Sequence, residues 1–267
     1  MSAPAWAIMW AISVVIFVLC KAVSWKGRGK GAQAPLWRKF AYLVMWPGLN
    51  ARAFLCESAQ SPQLREWVWA AAKTLFGAAM IWGVVRWIPA EQQLLIAWVG
   101  MIGMIFLLHF GSFHLISCFW RTCGISAQPL MRNPVAATSV SEFWSDRWNL
   151  AFRDLSNRFL FRPIAKRFGV VWGTIGVFVF SGVVHDIVIS IPAAAGFGLP
   201  TLYFIIQAAA VFIERSKFGK RIGLTRGWRG WLFTLVAVLS PVGWLFHRPF
   251  AEDVIVPFLE AIFAIPS

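Results

Sequence analysis

Six stretches of the chain, at about 5–23, 67–88, 93–119, 169–192, 199–214 and 230–247, run on with scarcely a charged side chain. A helix that crosses a bilayer needs about 20 mainly apolar residues, because the hydrocarbon layer is about 30 Å deep and each helical residue rises about 1.5 Å. A water-soluble domain has no use for so many runs of that length. The balance of 59% hydrophobic against 13% charged residues agrees. The expected fold is therefore all-α: a polytopic helical membrane protein with about six transmembrane helices. Two more apolar stretches, 40–56 and 254–265, are interrupted by Pro or Gly and are expected to be interfacial or re-entrant. No internal repeat divides the chain, so 1–267 reads as a single domain. The 17 tryptophans suit membrane–water boundaries, where an indole buries its ring and keeps its N–H wet.

A formal charge of +14 raises the question of nucleic acid, but its distribution answers otherwise. Seven Lys and Arg fall in 24–66 (Lys26, Arg28, Lys30, Arg38, Lys39, Arg52, Arg65), eight in 120–168 and six in 214–229, whereas the alternate connections are nearly bare. With six spans all three basic loops share one side. The positive-inside rule makes that side cytoplasmic and puts both termini outside. The expected partners are membrane lipids rather than nucleic acid, and the expected location is a bacterial inner membrane in preference to the endoplasmic reticulum. Cys20, Cys56, Cys118 and Cys123 lack C-x-x-C spacing and read as packing residues. The first apolar run has no basic residues ahead of it and no small-residue cleavage site, and so reads as a retained span.

In the longest polar loop, Ser139 and Glu142 stand at capping-box spacing, and a helix over about 140–160 is expected to follow. Trp144, Trp148, Ala151, Phe152, Leu155 and Phe159 would form one apolar stripe, with Asp146, Arg153 and Asn157 opposite. Such a helix lies along the interface or tucks into the bundle. Asp154 and Arg158 stand i, i+4, the acid first. Asn149 lies off the stripe, either solvated or turned toward a cavity.

His185 sits well inside the fourth apolar run, where a polar side chain must face protein or a water-filled cavity. An imidazole at such depth is expected to be neutral and able to accept a proton. Ser181 and Gly182 share its face and leave room for a substrate, while Asp186 points about 100° away and is free to hold a neighbouring helix. The plainer alternative for His185 is an interhelical hydrogen bond. His109 and His114, five residues apart, do not share an α-helical face, so no metal site is expected; His247, beside Arg248 and Pro249, reads as an interfacial anchor. There is no G-x-S-x-G, no phosphate loop and no H-E-x-x-H.

Two strings, FWSDRWNLAFRDL at 143–155 and SGVVHD at 181–186, resemble the wax synthase-like branch of the membrane-bound O-acyltransferases. That branch pairs an aromatic-Trp, Arg-Trp, Asn-or-His string in a loop with a small-Gly-apolar-apolar-His string in the next membrane helix. WPGLNARAFL at 46–55, FWRTCG at 119–124 and QPLMRNPVAATS at 128–139 look like further pieces of the same pattern. Asp186 departs from it, since the family more often has Glu there. The resemblance implies transfer of an acyl group from acyl-CoA, a co-substrate and not a bound cofactor, to the hydroxyl of a fatty alcohol or other lipid alcohol. His185 would be the general base, and Asn149 would position the reactants or polarise the thioester carbonyl. Arg147, Trp148, Trp144, Arg153, Arg158, Ser181 and Asp186 would line the substrates, with the arginines meeting the phosphates of CoA. Acetylation of a glycan or small metabolite would use the same core. A transporter or scaffold, with His185 and Asp186 as relay or lock, is the reading from another class.

Overall fold

The computed structural model describes residues 3–27 and 34–265; Arg28 and Lys30 of the first basic loop lie outside them. In chain order the helices are α1 (Ala5–Lys26), α2 (Leu36–Val44), α3 (Ala51–Cys56), α4 (Leu64–Trp87), α5 (Gln93–Thr122), α6 (Leu150–Ser156), α7 (Arg162–Phe168), α8 (Val170–Ala193), α9 (Leu199–Arg215), α10 (Gly227–Leu245) and α11 (Arg248–Ala261). Among the described residues the only β pairing is an isolated bridge between Ser58 and Ile125.

Four helices, α1, α4, α5 and α8, are long and apolar enough to cross a membrane, and α10 with α11 adds a fifth span if that pair, bent by 67°, counts as one. The remaining expected span, at 199–214, is α9. It is helical as predicted but only 17 residues long, and it carries buried Gln207 and Glu214 in its apolar run.

The chain packs into two compact units. In the unit made of Val14–Met131 and the residues from Ile255 on, α1 meets a buried, broken segment. The Lys21 ammonium donates to the carbonyls of Tyr42 (2.7 Å), Trp46 (2.6 Å) and Gly48 (2.8 Å). An ammonium has three donors, so all are satisfied and a cation inside an apolar helix is tolerated. This explains why 40–56 does not run as a span: Pro47 and Gly48 open the backbone between α2 and α3, and Lys21 binds the carbonyls so freed. Alongside, α4 and α5 approach backbone to backbone. A Cβ on Gly77 would lie 2.3 Å from the Leu107 nitrogen, so only glycine fits.

In the unit made of the residues up to Ser13 and Arg132–Val254, α8 and α9 pair antiparallel through a tight connection, and the loop before α6 lies against them. The expected continuous helix over 140–160 is broken. Val140–Glu142 continues as a π-helical turn, Phe143–Arg147; the chain then extends at Trp148 and turns left-handed at Asn149 (φ 43°), and α6 starts at Leu150. Asn tolerates that backbone and caps the new helix, its carboxamide oxygen accepting the Phe152 N–H at 3.3 Å. The capping box forms by half. Ser139 Oγ accepts the Glu142 N–H (3.0 Å), but the Glu142 carboxylate binds the Thr138 N–H and Arg147 instead of closing the box. Asp154 pairs with Arg153 at 3.0 Å rather than with Arg158.

Candidate active site

His185 lies in α8 about 12 Å from its C-terminal end, at ~1.5 Å per residue. Its Nδ1 is 2.7 Å from the Ser181 carbonyl. A carbonyl only accepts, so Nδ1 carries the proton. In a neutral imidazole Nε2 is then left with its lone pair, the tautomer a general base needs. The ring lies 4.6 Å, centroid to centroid, from that of Phe204 on α9.

One face of α9 builds the surroundings. Thr201, Phe204, Gln207 and Glu214 recur at helical spacing, and each holds a different piece of the unit. Thr201 binds Asp186, and Phe204 packs on His185. Gln207, fully buried, donates to the Ala237 carbonyl (2.8 Å) while its carboxamide oxygen accepts the Trp144 indole N–H (3.3 Å). The Glu214 carboxylate accepts the N–H groups of Val140 (2.6 Å) and Ser141 (2.9 Å), an anion on the orphan donors of a helix start. Trp144, packed against Phe204 (5.5 Å) and Phe178 (6.0 Å), lies about 10 Å along α9 from the Glu214 anchor. The 140–147 segment thus tucks in beside α9, descending toward His185. Phe152 of α6 stacks on Phe180, one residue before Ser181.

The structure therefore gathers His185 and Trp144 around Phe204, with the Ser181 carbonyl on the imidazole, and sets Asn149 at the head of a helix docked on α8. The other expected residues have fixed duties. Trp148 stacks on Phe143 (5.6 Å). Arg147 ties Glu142 to the carbonyls of Arg132 and Asn133, and Arg153 sits between Asp146 and Asp154. Arg158, over the Phe159 ring, has no acidic partner among the described residues. The small-residue approach beside His185 is corrected. A Cβ on Gly182 would come within 2.7 Å of Thr201 Cα, so α9 and not a substrate fills that face, and the Ser181 hydroxyl is spent on its own helix at Val177.

Asp186 does hold a neighbouring helix. Its carboxylate accepts the N–H groups of Gly198 (2.8 Å) and Thr201 (3.0 Å), and the hydroxyls of Ser190 (2.9 Å) and Thr201. His247 is no interfacial anchor, being only 3% exposed. Its Nδ1 accepts the Phe250 N–H at 3.3 Å, so Nε2 carries the proton and faces Ser190 Oγ at 3.5 Å.

In the other unit, Glu66, His114 and Cys118 offer ligand atoms within 4.8 Å of one another. The donor set is already neutralised: the Arg121 guanidinium bonds Glu66 and lies 3.5 Å from Cys118 Sγ, so the cation a metal would supply is a side chain.

These features define a helical membrane protein with a histidine in an apolar helix, its Nδ1 held by a backbone carbonyl, and an aromatic loop segment folded onto it. Residues 127–206 match the family described as membrane bound O-acyl transferase family. Both strings that carried the resemblance, at 143–155 and 181–186, lie inside the matched residues. Similar proteins include a probable long-chain-alcohol O-fatty-acyltransferase 7 of Arabidopsis thaliana, 28% identical over 46% of this chain and 40% of the relative. A long-chain-alcohol O-fatty-acyltransferase of Simmondsia chinensis is 27% identical over 47% of this chain and 39% of the relative. An acyl-CoA–sterol O-acyltransferase 1 of Arabidopsis thaliana is 28% identical over 24% of this chain and 21% of the relative. The chain thus matches about two fifths of the length of the first two relatives.

Proposed function

We propose that the chain transfers an acyl group from acyl-CoA to the hydroxyl of a long-chain alcohol, with His185 as general base. The observation that carries this is the tautomer. Nδ1 is committed to the Ser181 carbonyl, so Nε2 accepts the proton of the attacking hydroxyl. The hydroxyl oxygen bonds to the thioester carbonyl carbon, the carbon–sulfur bond breaks, and the proton held on Nε2 passes to the departing thiolate. Such base assistance is worth about 10²–10⁴-fold in rate. The aromatic walls of Phe204 and Trp144 keep water from the thioester. The alcohol acceptor follows from the two relatives named for long-chain alcohols. The sterol-named relative favours a lipid hydroxyl over a glycan.

Asn149 polarises the thioester carbonyl in this reading. Of the three loop arginines, Arg158 meets the phosphates of CoA, because Arg147 and Arg153 are occupied by Glu142, Asp146 and Asp154. Arg158→Ala should then raise KM for acyl-CoA several-fold and leave KM for the alcohol unchanged; an equal rise in both would remove that assignment. The basic loops face the cytoplasm, where acyl-CoA is made, and fractionation decides between a bacterial inner membrane and the endoplasmic reticulum.

The test is turnover by purified protein given a panel of acyl-CoAs and alcohols, with the ester detected by mass spectrometry. His185→Ala should lower kcat by at least about 10²-fold at constant folded yield. Activity that falls only in proportion to folded protein would make His185 an interhelical lock, worth about 0.6 to 2 kcal/mol in a membrane.

A further inference from the structure

We infer that Asp186 is a positioning residue for the reaction at His185: it sets the register of α9 on α8, so that Phe204 lies against the imidazole and the α9 face carries Trp144 to the same place. The inference rests on the acyl-transfer reading for its activity arm but on geometry for its substance.

Asp186 follows His185 in α8, yet its carboxylate turns away to the start of α9. There it takes the Gly198 and Thr201 N–H groups and the Thr201 hydroxyl, donors that the first turn of a helix otherwise leaves unsatisfied. Phe204 stands one turn beyond Thr201, and Gln207 three residues further. A shift of α9 by even part of a residue would carry Phe204 off His185 and Gln207 off the Trp144 indole together. The carboxylate is itself braced. Ser190, one turn along α8, donates to it at 2.9 Å, and Ser190 in turn faces the protonated Nε2 of His247 at 3.5 Å. The chain His247 to Ser190 to Asp186 therefore runs donor to acceptor throughout. His247 also closes the connection from its other side: a Cβ at Gly196 (φ +70°) would fall 2.3 Å from the imidazole, so the loop folds directly on that ring. Asp186 binds the α9 side of the connection and His247 seals the loop, while the imidazole of His185 is left for chemistry.

The experiment compares Thr201→Val, which deletes one donor to Asp186 without touching His185, with Thr201→Ser, which keeps it. Two readouts are taken on equal amounts of folded protein: acyl transfer, and the rate of His185 carbethoxylation by diethyl pyrocarbonate, followed by peptide mass spectrometry. Thr201→Val should lower kcat by about tenfold with KM for acyl-CoA changed less than about twofold, the pattern of misplaced groups rather than lost binding. It should also speed His185 modification, as Phe204 no longer shields the ring. Thr201→Ser should recover most of both. Unchanged His185 reactivity in Thr201→Val, or equal loss in Val and Ser, overturns the inference. A wild-type protein with no transfer activity overturns the acyl-transfer reading alone, because the modification rates still decide the positioning role.

Discussion

Asn149 adopts a left-handed backbone, φ 43° and ψ 61°, and its carboxamide oxygen accepts the Phe152 N–H. Asn149→Ala would strain that backbone and remove a helix cap, each worth about 1 kcal/mol, so its loss of activity would be ambiguous. Asn149→Gly keeps the backbone and loses only a few tenths of a kcal/mol of capping. If the carboxamide polarises the thioester, Asn149→Gly should stay folded with kcat down about 10²-fold; wild-type kcat would leave capping as its whole role. Glu142 offers a pH signature nearby. Burial pushes its carboxyl up, but the Thr138 N–H and hydroxyl and the Arg147 guanidinium outweigh this and hold it below its usual value of 4.5. A carboxyl depressed on folding stabilises above its unfolded value and loses that contribution as pH falls through the folded one. Proteolysis of the 138–147 loop should therefore quicken below about pH 4.5, and Glu142→Gln should blunt that dependence. Depth and local string marked His185 in the sequence. Its tautomer did not show there, because it depends on a carbonyl one turn away.

The α9 helix shows where sequence patterning runs short. Its apolar run was visible as a fifth segment, but Gln207 and Glu214 inside it went unremarked, although two polar side chains seven residues apart share one helix face and in a membrane signal a function. Their partners in the loop, Trp144 and Val140, lie 63 and 74 residues upstream, beyond any local window. The continuous helix expected over about 140–160 fails for a related reason. Its stripe fits a continuous helix, but the anchor at Glu214 and the turn at Asn149 redirect it. Glu214 supplies two charge-assisted bonds to Val140 and Ser141, each worth about 1.5–3 kcal/mol net. Glu214→Ala should consequently free the segment: at neutral pH, limited proteolysis should cut within 138–147 much faster in the variant than in the wild type, and the Trp144 contact on Phe204 should loosen with it. A variant equally resistant to protease would show that the aromatic packing alone holds the segment.

At the scale of the whole chain, the placing of the basic loops turns on α9. By length it falls short, since 17 residues rise about 26 Å against a hydrocarbon layer of about 30 Å. Its packing nonetheless reports its direction. The N-terminal end is bound by Asp186, in the C-terminal half of α8, and from there α9 packs antiparallel along α8. The helix α9 therefore runs back along α8 toward the side from which α8 set out. If α9 crosses, that return brings the basic stretch 214–229 back to the face on which α8 begins, just after the basic residues of 132–168, which is what the charge pattern asks of this unit. Were α9 to lie flat instead, the two stretches would sit on opposite faces and the charge asymmetry would vanish. Single cysteines at Lys217 and at Arg158, in a background free of the four native cysteines, make the test. In sealed vesicles of one orientation, a membrane-impermeant maleimide should label both positions or neither, and detergent should expose whichever pair was protected. Labelling of one position without the other would remove α9 from the set of spans and with it the proposal that the basic loops share a cytoplasmic face.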